Sequence, residues 1–292
     1  IIVPKPKNFK TFLECRRILK SYTFDFLLLA QASFSAHFVG INVKSKRKIG
    51  FDSSRSKDLH GFFIEDRIPY NEQHFVDAYY SFSAKVGLPI PDSPNWEGLF
   101  KSNLFEKCNH LGLPKGKPLL AVNPSSSKKE RNWDIESYVS VINHAQKKRL
   151  NVVIIGGHEL SEIKFNQIIA SMGKLPPLDL TGKIQLSELP YLIKSCDALM
   201  APDTGAVHIA TAIGIPVIGL YAVANPRLTG PYRALQFSVD RFQLATEKFS
   251  NSQKHSFFGR IHDSRSMSLI TVKEVVTKLD QVILHISARK KP

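Results

Sequence analysis

Residues 196–221, CDALMAPDTGAVHIATAIGIPVIGLY, decide the fold class. An apolar run ends at Pro202, the polar residues 203–205 form a turn, and helical spacing of apolar residues then continues to Ile213. A second apolar run begins at Val217. This order of strand, helix and strand predicts a βαβ unit of a parallel sheet, with the turn at the carboxyl edge where open α/β folds bind ligands.

The turn after Pro202 carries groups that suit an anion. Backbone N–H groups and the positive end of the following helix would face the edge of the sheet. Thr204 adds a hydroxyl donor, and Gly205 lets a ligand approach the backbone closely because it has no side chain. His208, one turn into the helix, would face the same edge. A simpler alternative is that Asp203 only caps the helix and His208 lies on its surface.

Apolar runs alternate with helical patterns through the second part of the chain, which predicts a parallel sheet covered on both faces. The predicted strands are 118–122, 152–155, 178–180, 198–200 and 217–220, and the predicted helices are 134–148, 160–172, 187–194, 206–213 and 271–286. Turn residues are dense between Gly87 and Pro118, so we place a domain boundary near residue 116. The predicted organisation is a first domain at 1–116, a second at 117–270, and a final helix with a tail at 271–292.

The first part of the chain also alternates between helix and strand. Helices are predicted at 9–19 and 72–86 from the spacing of their apolar residues. The run 24–30, which is apolar apart from Asp25, predicts a strand that is buried on both faces. A basic tract, residues 44–48, follows it.

The composition argues against several classes of protein. No apolar run reaches the roughly 18 residues of a membrane span. The cysteines Cys15, Cys108 and Cys196 are scattered, which argues against a disulfide framework or a CxxC metal site and favours a reducing compartment. Lys and Arg number 40 against 25 Asp and Glu, and this net charge of +15 implies an anionic partner. Nucleic acid is one candidate, although the sequence has no zinc-finger spacing and no RNP-like motif.

Residues 123–133, NPSSSKKERNW, form a second polar cluster. A predicted strand delivers this loop, which is rich in hydroxyls and cations, to the edge of the sheet just before a helix. Lys128 and Lys129 would attract an anion, or they are simply solvated. Trp133 either packs the loop or contacts the ligand.

Several segments carry a resemblance to a known family. The pattern D-T-G-x-x-H-x-A-x-A-x-G-x-P-x-x-x-L-Y at 203–221, followed by NPRLTGPY at 225–232, resembles glycosyltransferase family 9, the lipopolysaccharide heptosyltransferases. YTFDFLLLAQ at 22–31 is similar to the family's Y-D-x-L-L-x-x-Q strand. Further landmarks that resemble the family are residues 49–52, Arg55, Asp58, Gln73 and His74. The likeness covers nearly the whole chain and is nearest to heptosyltransferase I.

This resemblance implies a GT-B arrangement, in which two Rossmann-like α/β domains carry parallel sheets, and the first domain would be incomplete in this chain. It implies an inverting transfer of heptose from ADP-heptose to the Kdo-bearing inner core of lipopolysaccharide. Such a protein would work in the cytoplasm at the inner membrane, in peripheral contact with its anionic surface and with no nucleic-acid partner. No metal or other cofactor is expected, because basic residues and a helix dipole can neutralise a diphosphate.

The resemblance also assigns residues to the two substrates. The donor-binding residues would be Asp203, Thr204, Gly205, His208, Arg131, Ser126, Ser127, Glu159 and Ile184. Among them, Glu159 would bind the ribose hydroxyls; the alternative is that it is a solvated residue at the start of a helix. Ile184 would lie beside the adenine; the alternative is that it is a core residue. The acceptor-binding residues would be Lys46, Arg47, Lys48, Arg55 and Lys57, unless this tract is an ordinary solvated face.

We assign no catalytic base from the sequence. Family members begin with a strand and a Gly-rich turn that holds the expected aspartate base, and nothing in residues 1–21 resembles this segment. The interpretation we prefer is that the chain is a fragment and that the missing segment supplies the base. The alternatives are a catalytically inactive nucleotide-sugar-binding homologue, a family member that uses another sugar donor, and a nucleic-acid-binding α/β protein.

Overall fold

The structure is a computed structural model, and it describes residues 3, 8–57, 59–96, 110–250 and 257–289. Asp58, Cys108 and the tail at 290–292 lie outside the described residues. The chain divides into two compact units, Ile1–Pro94 and Asn95–Pro292. The division falls within the turn-rich stretch of the sequence, earlier than the predicted boundary near residue 116.

The first unit is a small parallel α/β structure. Its elements are α1 (Phe9–Leu19), β1 (Thr23–Leu29), α2 (Phe34–Ile41), β2 (Lys44–Gly50), β3 (Asp66–Arg67) and α3 (Phe75–Lys85). Among the described residues, its sheet has three strands in the order β1-β2-β3, and both pairings are parallel. The predicted helix at 9–19 is confirmed, and the basic tract forms β2.

The prediction that the apolar run 24–30 is buried on both faces is wrong. Phe26 and Leu28 keep 42% and 41% of their surface exposed, and Leu29 is the buried residue of the strand. Phe26 and Leu28 lie on the same face of the strand, and the described part of the unit does not fully cover this face. A run of apolar residues does not by itself show what covers the faces of a strand.

The second unit alternates strands and helices much as its sequence predicts. Its elements are β4 (Leu119–Val122), α4 (Ile135–Lys147), β5 (Asn151–Ile154), α5 (Leu160–Met172), β6 (Leu178–Asp179), α6 (Leu189–Lys194), β7 (Ala198–Pro202), α7 (Gly205–Ile213), β8 (Val217–Tyr221), α8 (Pro226–Thr229), β9 (Val239–Asp240), α9 (Phe242–Phe249) and α10 (Val272–Arg289). The helix predicted to begin after Asp134 is confirmed, because the Asp134 side chain accepts a hydrogen bond from the backbone N–H of Ser137 at 2.8 Å.

The strands of the second unit are parallel and lie in the order β6-β5-β4-β7-β8-β9. The chain moves outward from β4 to β6, then returns to the other side of β4 and continues outward to β9. The order therefore reverses between β4 and β7. Open α/β sheets bind ligands at the carboxyl ends of the strands that flank such a switch point.

Both faces of this sheet are buried under helices. On one face Leu120 and Val122 pack with α4 and α10, and on the other Leu119 and Ala121 pack with α6 and α7. Successive residues of a strand point to opposite faces, so β4 contributes to both cores. This packing makes the two neighbouring strand ends a rigid base for the loops that follow them.

Helix α10 belongs to the core of the second unit. Its buried residues are Val275, Leu279, Val282 and Ile286. The His144 Nε2 atom on α4 lies 2.9 Å from an Asp280 carboxylate oxygen on α10. The helix of the segment 271–292, predicted as a separate final element, thus packs in the core of the second unit and continues to Arg289. No helix in the described ranges combines the length and the apolarity needed to span a bilayer.

Candidate functional site

A cavity of about 520 Å³ opens at the carboxyl ends of β4 and β7 in the second unit. Its volume is in the range of small-ligand sites. Its lining includes Asn123, Ser125, Ser126, Ser127, Arg131, Ile155, Gly156, Gly157, His158, Glu162, Ile184, Gln185, Leu186, Leu189, Asp203, Thr204, Gly205, Ala206, His208, Thr229 and Arg260. The structure therefore brings the two polar clusters of the sequence together at the switch point.

The first turn of α7 forms one wall of this cavity. Thr204 is the N-cap residue, with an extended backbone, and within the described residues no side chain caps the helix. The alternative that Asp203 caps the helix is therefore wrong. Gly205 is exposed, and a Cβ atom at this position would meet no atom within 4 Å. The first N–H groups of α7 are thus open to a ligand, and the helix dipole favours an anion there.

Arg131 and Asp203 form an ion pair at the carboxyl end of β7. The Arg131 Nη1 atom lies 3.2 Å from the Asp203 carboxylate and donates to the Asp203 carbonyl oxygen at 3.1 Å. Their side chains are only 13% and 9% exposed. Because a carboxylate repels a phosphate, this geometry favours Asp203 as the group that positions Arg131, and Arg131 as the group that meets the anion.

His208 lies on the cavity wall, on the same helix. Loss of hydration around its ring lowers the pKa of His208, and the nearby Asp203 carboxylate partly opposes this shift. The lowered pKa favours the neutral imidazole, which offers one N–H donor and one acceptor nitrogen. Thr204 is also fixed beside the cavity, since its hydroxyl lies 3.3 Å from the side-chain amide of Asn123.

The serine loop between β4 and α4 is largely held by its own hydrogen bonds. The Ser126 hydroxyl donates to the Lys128 carbonyl oxygen at 2.9 Å, and the Lys128 N–H donates to Ser126 Oγ at 3.1 Å. Ser127 is exposed in the cavity lining. Trp133 packs the loop: it is 1% exposed, and its Nε1 donates to the Ile270 carbonyl oxygen at 3.1 Å. Ser126 therefore shapes the loop, and Ser127 is the more available of the two hydroxyls.

An apolar wall closes the other end of the cavity. Ile184 is buried in it, whereas Leu186 is 80% exposed at its rim. The His158 Nε2 atom lies 3.0 Å from the Ile184 carbonyl oxygen and so ties this segment to the end of β5. Glu159 is exposed and outside the cavity lining, while Glu162 lies in the lining and accepts a hydrogen bond from the Gly157 N–H at 2.8 Å.

Sequence reasoning missed several residues that line the cavity. Glu162 and Arg260 carry charge, and Ser125 and Thr229 carry buried hydroxyls that have no hydrogen-bond partner among the described residues. Thr229 and Ser125 lie inside the motifs at 225–232 and 123–133, so their place in these motifs could have indicated that they line the cavity. Arg260 comes after the last recognised motif, and nothing in the sequence connects it with this edge of the sheet.

The predicted acceptor-binding residues lie in the first unit, where most of them already have partners. Lys46 pairs with Asp25 at 2.7 Å, and both side chains are exposed. Arg47 pairs with Asp66, which also contacts Lys85 at 3.0 Å. These two cations, Arg47 first, lower the pKa of Asp66 to about 2. Their charges are therefore partly neutralised within the fold.

Arg55 is used inside the first unit. It is 8% exposed, its guanidinium pairs with the buried Asp52, and it donates to the Pro69 carbonyl oxygen at 3.0 Å. It also lies over the Phe51 ring at 5.1 Å. These contacts favour a packing role and do not favour the predicted contact with an acceptor.

Lys48 and Lys57 are the other predicted acceptor residues. The Lys48 backbone N–H donates to a Glu65 carboxylate oxygen at 3.2 Å, and its side chain is partly exposed on β2. Lys57 is exposed at a separate cavity of about 400 Å³, which His60 and Arg67 also line. The acceptor role of these lysines stays a prediction.

Comparison with known proteins decides the family. A sequence profile described as glycosyltransferase family 9 (heptosyltransferase) matches residues 12–256. The chain belongs to glycosyltransferase family 9. The lipopolysaccharide core heptosyltransferase OpsX of Haemophilus influenzae is 32% identical to this chain over 246 residues, which cover 84% of this chain and 70% of OpsX.

Solved structures of family 9 proteins share the fold. The family 9 glycosyltransferase of Veillonella parvula matches with a TM-score of 0.73 at 20% identity, over 98% of this chain and 82% of that one. The E. coli ADP-heptose lipopolysaccharide heptosyltransferase II matches with a TM-score of 0.67 at 19% identity, over 94% and 80% of the two chains. The predicted α/β class with parallel sheets and the relation to GT-B glycosyltransferases are confirmed.

Family 9 membership makes the chain a glycosyltransferase, and it confirms the resemblance that the sequence motifs carry. Its cavity holds no metal-binding cluster of the usual kind, since no group of three or more His, Cys, Asp or Glu forms one within the described ranges. The expectation that the reaction needs no metal stays a prediction.

Proposed function

We propose that this protein transfers heptose from ADP-heptose to the Kdo-bearing inner core of lipopolysaccharide, with inversion at the anomeric carbon. OpsX is named as a lipopolysaccharide core heptosyltransferase, and the E. coli relative is named for ADP-heptose. The observation that carries the proposal is the uncapped N-terminus of α7 at the switch point of the sheet, beside Arg131. This combination is suited to the diphosphate of a nucleotide sugar.

The proposed donor lies along the cavity from its apolar wall to α7. The adenine packs against the apolar wall at Ile184 and Leu186, where Leu186 supplies exposed apolar surface. The diphosphate accepts hydrogen bonds from the N–H groups at Gly205 and from Arg131. The heptose extends toward His208, whose neutral ring can donate to a sugar hydroxyl.

In the proposed reaction the acceptor hydroxyl displaces the diphosphate directly from the anomeric carbon. Negative charge then develops on the departing phosphate oxygen, and the preorganised N–H groups of α7 and the Arg131 guanidinium stabilise it. We assign no group in this chain to take the acceptor proton. The acceptor would meet Lys48 and Lys57 of the first unit, and these lysines would also attract an anionic membrane surface.

A second candidate is a homologue that binds a nucleotide sugar without transferring it. Mass spectrometry of Kdo-lipid A incubated with ADP-heptose and the protein separates the two candidates. We expect a mass increase of one heptose that requires the protein. Binding of ADP-heptose without this product would support the second candidate, and absence of binding would contradict both.

Glu162, rather than Glu159, is expected to bind the ribose. Replacing Glu162 with Gln keeps an acceptor oxygen for the Gly157 N–H but removes the charge that strengthens hydrogen bonds from the ribose hydroxyls. We expect ADP affinity to fall roughly tenfold, and the affinity for 2′,3′-dideoxy-ADP to stay unchanged. Isothermal titration calorimetry measures both affinities.

The matched control for this prediction is Glu159→Gln, which replaces a carboxylate with an amide three residues away and outside the cavity. It should bind ADP as the unchanged protein does. If Glu159→Gln weakens ADP binding and Glu162→Gln does not, the family-based assignment is right and the cavity-based one is wrong.

A further inference from the structure

Apart from Arg260, the charged side chains that line the donor cavity carry a net negative charge, which opposes the binding of a diphosphate. The other charged side chains in the lining are Arg131, Asp203 and Glu162. Arg131 and Asp203 are paired at 3.2 Å and largely offset each other, so Glu162 leaves an excess of negative charge. Arg260 is the second arginine of the lining, and its positive charge offsets the negative charge of Glu162. A polyanionic ligand needs this charge because the cavity is partly shielded from water.

The backbone around Arg260 is fixed beside the cavity. Arg260 forms an antiparallel bridge with Ala224, and the Ile261 N–H donates to the Val223 carbonyl oxygen at 2.9 Å. The Asn225 side-chain amide donates to the Phe257 carbonyl oxygen at 3.0 Å. These bonds attach the segment to the loop that follows β8. The position of the Arg260 backbone is therefore set by this loop.

The Arg260 side chain is exposed, and no carboxylate pairs with it in the described part of the chain. The nearby Asp263 is engaged by Arg265 at 2.7 Å. The preceding residues 251–256, NSQKHS, contain no Asp or Glu. The guanidinium thus keeps its full charge and its donors for a ligand.

Thr229 adds an independent observation on the same side of the cavity. Its side chain is 93% buried, since its exposed fraction is 7%. Its hydroxyl has no hydrogen-bond partner among the residues that the structure describes, although it lines the cavity. A buried hydroxyl without a partner is costly, so it indicates a ligand that supplies one.

We propose that Arg260 and Thr229 form a second anchor for the diphosphate of a nucleoside diphosphate sugar, distinct from Arg131 and the N-terminus of α7. Arg260 donates through its guanidinium to phosphate oxygens, and the Thr229 hydroxyl donates to an oxygen of the same group. This inference rests on the proposed function, because it takes the cavity to be the nucleotide-sugar site. It adds the charge that the Arg131–Asp203 pair does not supply.

Calorimetric titration of the full chain with ADP, AMP and adenosine tests the anchor. The unchanged protein should prefer ADP to adenosine. Arg260→Gln should lower ADP affinity about tenfold and leave adenosine affinity unchanged, and Arg260→Lys should recover part of the loss. The matched control is Arg265→Gln, which removes a paired arginine of the same segment outside the cavity.

Thr229→Val tests the hydroxyl by itself. It replaces a hydroxyl with a methyl group of similar shape, so ADP affinity should fall roughly fivefold while the melting temperature does not fall. Thr229→Ser should restore ADP affinity.

The outcomes of these titrations separate the anchor from the proposed function. If the unchanged protein binds ADP no better than adenosine, the proposed function fails and the anchor fails with it. If it prefers ADP and Arg260→Gln keeps that preference, only the anchor is overturned.

Discussion

Replacing Gly205 with valine is expected to abolish nucleotide binding while leaving the fold at least as stable as before. A Cβ atom at Gly205 meets no protein atom within 4 Å, so the added side chain enters the cavity and not the core. It would occupy the space where the diphosphate meets the first N–H groups of α7. Valine also loses less backbone entropy on folding into a helix than glycine does, which favours the folded state.

The expected size of this effect is a fall in ADP affinity of more than about a hundredfold, because the valine side chain would prevent two charge-assisted hydrogen bonds to the diphosphate. Gly205→Ala should give an intermediate fall. Ala212→Val is the control, since Ala212 lies on the same helix and outside the cavity lining. Calorimetry gives the affinities and thermal unfolding gives the stabilities. Undiminished ADP binding by the valine variant would place the diphosphate elsewhere.

Replacing Arg131 with glutamine is expected to lower ADP affinity by a similar factor. The change removes the guanidinium that faces the diphosphate, and it leaves the Asp203 carboxylate buried without its partner. Breaking a buried pair from one side costs about 3–5 kcal/mol, part of which would appear as lower stability. The remaining carboxylate would also repel the ligand.

The double variant Arg131→Gln, Asp203→Asn distinguishes a positioning role for Asp203 from direct contact with the donor. If Asp203 acts through Arg131, the double variant should bind ADP better than Arg131→Gln alone, because the uncompensated carboxylate is gone. The coupling energy between the two changes should then be large, as it is for residues in contact. Additive effects on ADP affinity would show that Asp203 contacts the donor itself.

Much of the second unit follows from its sequence for a simple reason. Strands of a parallel sheet that are covered on both faces are short apolar runs, and the turns between them carry polar or Gly residues. The helices at 160–172 and 206–213 and the turn at 203–205 could be placed in this way. The family motif then indicated that this turn and the loop at 123–133 belong to one site.

The remaining features depend on contacts between distant parts of the chain. Glu162 lies in the first turn of α5 and lines the cavity, whereas Glu159 is the N-cap residue and lies outside the lining. Arg260 reaches the site through a bridge to the loop after β8, which no periodicity reveals. In the first unit, the sequence predicts Arg55 to be an exposed cation, because no pattern in it shows that Asp52 is buried beside Arg55.

A structure of the protein with bound ADP tests the central claim most directly. We predict that the diphosphate lies within hydrogen-bond distance of the Gly205 N–H and the Arg131 guanidinium, with the adenine against Ile184. Nucleotide bound elsewhere, while the cavity at the end of β7 contains only solvent, would contradict it.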